Sequence, residues 1–98
     1  MLFHVTHVHT PETCPADSPE KIKATFGQML TIAEELGVTV HSLYSNNIAH
    51  TMYMVVETDS AENISKMMDP TLKIASAEIT PIVDAHAVMN RLIESPVE

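Results

Sequence analysis

The stretch Phe3-His4-Val5-Thr6-His7-Val8-His9 constrains this chain more than any other, because it alternates with period two and holds three of the six histidines. That alternation predicts a β-strand over residues 2–9 whose successive side chains point to opposite faces of a sheet. Imidazoles fall on both faces, beside Phe3, Val5 and Val8. A polar ring among apolar side chains costs stability unless it is hydrogen-bonded or ligated. The rest of the chain has to supply partners for these rings, so the sequence points to a site before it points to a reaction.

Taken in order, 10–17 is a loop with two prolines. Ser18-Pro19-Glu20 starts a helix, with a capping hydroxyl, proline at the first helical position and an acid in the first turn. Ile22, Phe26, Met29, Leu30, Ala33 and Leu36 follow at helical spacing, and Gly37 ends the helix in the left-handed conformation. Residues 38–44 form a second strand, Ser45-Asn46-Asn47 a turn, and 48–57 a third strand rich in Met, Val and Tyr. Asp59-Ser60-Ala61-Glu62 has capping-box spacing with Asp59 as the cap, before a short helix carrying Ile64, Met67 and Met68. Asp69-Pro70 breaks that helix. Residues 75–83 are the fourth strand, with Pro81 marking an edge or a strand end. Asp84 caps a final amphipathic helix through Val88, Met89, Leu92 and Ile93, and 95–98 is tail. The order β-α-β-β-α-β plus a helix predicts the α+β class, a ferredoxin-like fold in one domain over 1–98. Right-handed crossovers then centre strands one and three in a four-stranded antiparallel sheet with both main helices on one face.

Folding that sheet on paper divides its side chains. Phe3, Val5, Val38, Val40, Met52, Met54, Val56, Ala77 and Ile79 form the apolar face under the helices. The other face carries His4, Thr6 and Val8, His41 and Leu43, Thr51, Tyr53 and Val55, and Ser76, Glu78, Thr80 and Ile82. A three-residue turn keeps this parity, with Thr51 opposite both Thr6 and His41 and with His4 facing Tyr53; a one-residue slip would swap the faces. This second face is too apolar for water and too polar for a core, which suits a sheet that closes on another sheet around a cavity.

The strand order, the length and the final short helix resemble the dimeric α+β barrel proteins. More narrowly, Met1-Leu2-Phe3, Val5, His7, Thr10-Pro11-Glu12 and Cys14-Pro15 resemble an uncharacterised bacterial and archaeal family of about this size. The resemblance implies a homodimer whose sheets face each other around a small-molecule cavity, and the face assignment above puts His4, Thr6, His41, Thr51, Tyr53 and Glu78 in that cavity. The superfamily it points to holds monooxygenases, isomerases, lyases and binding proteins, so fold alone selects no chemistry.

Composition narrows the partners. Thirteen acidic against five basic residues give a formal charge of −8, which argues against nucleic acid and anionic membranes. No apolar run approaches the roughly 18 residues of a membrane span, and the N-terminus has no signal-peptide pattern. A single cysteine excludes an internal disulfide framework. The expected location is the cytoplasm.

A second constellation sits at the rim where strand one ends and strand three begins. His7, His9, His50 and Cys14 converge there, with His50 expected opposite His7. Imidazole nitrogens with the thiolate of Cys14 or the carboxylate of Glu12 suit zinc, nickel or copper. The alternative at the rim is a solvated His9 with His7 and His50 bonded to backbone. Cys14, shortly before a helix N-terminus, can also be read as a nucleophile or as a small packed residue. The sequence therefore supports a small-ligand-binding homodimer, a transition-metal-binding protein, or a cofactor-free monooxygenase or isomerase using His4, Tyr53 and Glu78. It contains no flavin or nicotinamide motif.

Overall fold

The computed structural model describes residues 1–94; the tail expected at 95–98 lies outside the described residues. β1 (Leu2–His9) is followed by a 3₁₀ turn (Pro15–Asp17), then α1 (Pro19–Ile22), a π-helical segment (Lys23–Gly27) and α2 (Gln28–Glu35) as successive helical segments. β2 (Thr39–Asn46), β3 (Thr51–Glu57), α3 (Ala61–Met68), a 3₁₀ turn (Asp69–Thr71), β4 (Ala75–Ile82) and α4 (Ala85–Glu94) complete the described chain. The sheet order is β2-β3-β1-β4, every neighbouring pair antiparallel. This is the α+β, ferredoxin-like arrangement, with β1 and β3 central.

The helix signals act as their chemistry requires. Ser18 Oγ accepts from Lys21 N–H at 3.3 Å, with Pro19 in the first turn. Gly37, at φ +72°, allows Gly37 N–H and Val38 N–H to reach the Glu34 and Ala33 carbonyls at 3.2 and 2.8 Å. Those two bonds are the Schellman closure of α2. One cap differs from expectation: Ser60, not Asp59, is the N-cap of α3, its Oγ accepting from Glu62 N–H at 3.1 Å. Asp84 Oδ1 accepts from Ala87 N–H at 3.1 Å ahead of α4.

The helical stretch is also interrupted where the spacing predicted a single α-helix. Gln28 N–H donates to Lys23 C=O, five residues back, in the π pattern. Thr25 Oγ1 donates to Lys21 C=O at 2.8 Å, and such back-bonding to a helix carbonyl loosens regular pairing.

One layer of the molecule is dry. Phe3, Val5, Met54 and Val56 from the central strands meet Met29 and Ala33 of α2 and Ile64, Met67 and Met68 of α3, all at most 3% exposed. The other face of the sheet is covered by no helix among the described residues, and Tyr53 there is 39% exposed. α4 has no buried residue, with Met89 53% and Leu92 58% exposed. It extends the molecule to 58 × 30 × 17 Å and a radius of gyration of 16.0 Å, against about 13 Å for a compact chain of this length. No helix among the described residues is long and apolar enough to cross a membrane.

The strand pairing corrects the paper sheet in three ways. Thr6 lies opposite Tyr53 and Val8 opposite Thr51, so His4 faces Val55 and His7 faces Met52. β2 runs on to Asn46 and the turn spans 47–50, because Asn46 Oδ1 takes the N–H groups of Ile48 and Ala49, both at 3.1 Å. β2 also carries an irregularity at His41, between Val40 opposite Val56 and Ser42 opposite Val55. That extra residue reverses the parity of β2. Leu43 falls opposite Met54 on the helix side, and Asn46, not His41, lies opposite Thr51.

Candidate functional site: a histidine and cysteine rim pocket

β1 sends His7 and His9 to the helix side of the sheet, in line with Phe3 and Val5. His7 is fully buried, and among the described residues neither ring nitrogen has a hydrogen-bond partner. Its ring stands edge-on to Phe26 with centroids 5.4 Å apart, and 5.9 Å from His9. Burial pushes its pKa below the ordinary 6.5, neighbouring His9 lowers it further, and the Thr71 backbone opposes the shift. Among the described residues His7 therefore makes neither the backbone bond set out above as the alternative nor a bond to His50.

His9 makes that contact instead, and it is not solvated: it is 9% exposed. His9 N–H donates to the His50 carbonyl at 3.1 Å, and His9 Nε2 lies 3.3 Å from His50 Nδ1. The two rings meet edge to face with centroids 5.1 Å apart. Burial, then the nearby His50, lowers the His9 pKa. His9 Nδ1 is buried without a partner.

His50 reaches this position because it closes the turn at φ +51°. A non-glycine residue in the left-handed region carries strain, and such residues concentrate at functional sites. Cys14 completes the group from the loop before the 3₁₀ turn; one donor atom each from His9, Cys14 and His50 lie within 4.8 Å of one another. Glu12 is exposed and does not join them.

His9, Cys14 and His50 all line a pocket of about 480 Å³. Phe26 and Ile22 from the helical stretch, Pro15, Leu43 and Met52 add apolar lining, and Asn46 and Asn47 add polar lining. None of these wall residues was singled out as functional from sequence. Leu43 and Phe26 carry no local signal for this role: the irregularity at His41 turns Leu43 to this side, and Phe26 stands on the π segment.

The other predicted set lies across the sheet. Thr6 is flanked by Tyr53 on β3 and Glu78 on β4. His4 Nδ1 lies 3.4 Å from Thr6 Oγ1, and its ring is 6.2 Å from that of Tyr53. Thr51 stands apart at the rim, donating to Ala49 C=O at 3.0 Å. His41 is also separate, its Nε2 2.7 Å from Glu57 Oε1 at the far end of the sheet.

Similarity to known proteins agrees with the fold and leaves the chemistry open. The family described as "Domain of unknown function (DUF3303)" matches residues 1–94, and the chain belongs to it. No curated protein matches the chain. Among solved structures it is similar to SCO4226 from Streptomyces coelicolor A3(2), at 14% identity and a TM-score of 0.56, covering 82% of this chain and 94% of that one. At that identity the likeness speaks for the fold alone.

Proposed function

We propose that this member of the DUF3303 family binds a divalent transition ion of the zinc, nickel and copper group through His9, His50 and Cys14. The observation that carries the reading is the 3.3 Å separation of His9 Nε2 and His50 Nδ1. That is longer than the usual hydrogen-bond mode of about 2.9–3.0 Å. It matches the roughly 3.4 Å between two nitrogen ligands at about 2.0–2.1 Å from a tetrahedral ion. A thiolate beside two imidazoles is a donor set such ions favour over hard oxygen-seeking cations. His7 belongs to the surroundings of the site and not to its ligands.

When bound, the ion would supply a Lewis-acid centre. The chain supplies the placement: β1 carries His9, the turn before β3 carries His50, and the loop after β1 brings Cys14 within 4.8 Å of both donor atoms. Protein purified without an affinity tag and titrated with cobalt(II) should develop a thiolate-to-cobalt charge-transfer band. Cys14→Ser should abolish the band, and His4→Ala should leave it intact. A cobalt spectrum indifferent to Cys14→Ser would refute the reading.

A second reading is favoured by a separate observation. The open face carries Val8 and Tyr53 at 43% and 39% exposed, and α4 projects with an apolar stripe that touches no core. A second copy of this chain is the occupant that would cover both at once, since a 98-residue chain gains most stability by closing such surfaces on itself. In that homodimer His4, Thr6, Tyr53 and Glu78 would line a cavity between two sheets and hold a small organic ligand. Mass photometry should give twice the 10.8 kDa chain mass, and Leu92→Asp should halve it. A monomer at micromolar concentration removes this reading without touching the metal site.

A further inference from the structure

The pocket is larger than an ion needs, and its walls have a different character from its donor end. We infer, resting on the metal reading, that the rim pocket binds a small monoanionic organic molecule, an apolar body with one carboxylate-like head that takes the remaining position on the metal. The observations run from coordination number to charge to shape.

Three protein donors leave a four-coordinate ion one position short, the arrangement of metal sites that admit a ligand. The pocket these residues help to line has a volume of about 480 Å³, within the common range for small-molecule pockets, about 300–1,000 Å³. Two neutral imidazoles and one thiolate leave a divalent ion with a single positive charge. Among the described residues no Asp, Glu, Lys or Arg lines the pocket, so one negative donor from the ligand would neutralise the centre. A dianion would bring an uncompensated charge into the same space, and that is costly.

Irregularities add to a lining that the regular elements begin with Met52 of β3 and Ile22 of α1. The π segment carries Phe26, the irregularity at His41 turns Leu43 inward, and the left-handed His50 sets the donor end. Bulges and π turns recur beside functional sites because they re-aim side chains. Here all three converge on one space, and Phe26, Leu43, Ile22 and Met52 offer it an apolar side.

The test uses the cobalt(II)-loaded full chain and two probes, acetate and hexanoate. Hexanoate should shift the visible cobalt bands, saturably, and bind at least about tenfold more tightly than acetate, since each buried methylene is worth about fourfold. Leu43→Trp should fill the pocket, leave cobalt binding unchanged and cut hexanoate affinity to the level of acetate. Cobalt bands that move equally with both acids at equal concentration would overturn the pocket and leave the metal site standing. Cobalt bands that ignore both acids would do the same. Failure to take up cobalt at all would overturn the metal reading and this inference with it.

Discussion

The two faces of β1 present histidines to very different surroundings. On the open face His4 is partly exposed and lies near Thr6 Oγ1 and the Tyr53 ring. On the helix side His7 is sealed without a partner, and His9 meets His50 at a distance that suits a shared ion. One residue of offset along a strand therefore decides whether an imidazole is an adaptable surface group or a costly buried one. His9 and His50 meet where the fold departs from regularity, at the left-handed turn residue His50.

The largest expected contrast compares neighbours on β3. Met54 is fully buried and Tyr53 is 39% exposed, so Met54→Ala should lower unfolding stability by about 3 kcal/mol. Tyr53→Ala should cost less than about 1 kcal/mol in the monomer. Urea denaturation at neutral pH measures both, and equal losses would mean the open face is buried in solution.

That contrast was legible in the sequence, because alternation at Phe3, Val5, Met54 and Val56 marks one face without reference to any partner. Residues beyond His41 in β2 were not legible. A one-residue irregularity has no signature in an apolar pattern as short as Val38, Val40 and Leu43, yet it moves Leu43 to the helix side and parts His41 from Thr51. The convergence of His9, His50 and Cys14 was visible as a cluster at the rim, but its internal pairing was not. A turn ending in a left-handed histidine shifts the start of β3 to Thr51, and with it the partner of His7. His7 itself was expected to be held by hydrogen bonds; among the described residues its ring nitrogens have none, and its ring stands edge-on to Phe26 on the π segment.

The next contrast is between His7 and His4. Replacing a buried, unpaired polar group by an apolar one of similar size removes a desolvation cost. His7→Leu should therefore raise the stability of the metal-free protein, by about 1–2 kcal/mol. His4→Leu should change it little, and a destabilised His7→Leu would show that the ring has a partner in solution.

Acid should separate the faces in the same sense. The His7 and His9 pKa values are lowered in the folded chain, so below the unfolded value of about 6.5 the unfolded state takes up protons first. Stability of the metal-free protein should be full above that value and decline as pH falls below it. His7→Leu should flatten the decline measured by melting temperature, whereas His4→Leu should not.

The smallest effect belongs to the exposed pair His41 and Glu57, 2.7 Å apart with side chains 45% and 53% exposed. His41→Ala should cost well under about 1 kcal/mol, screened by salt as such pairs are. A larger loss in urea would make the His41 irregularity a structural anchor and not a device for aiming Leu43.

The most direct test of the metal site follows the histidine ring resonances by NMR as zinc is added to the metal-free protein. The His9 and His50 resonances should shift together and saturate at one ion per chain, with His4, His41 and His86 unmoved. Shifts confined to His4 and His41, or none at His9 and His50, would contradict the account.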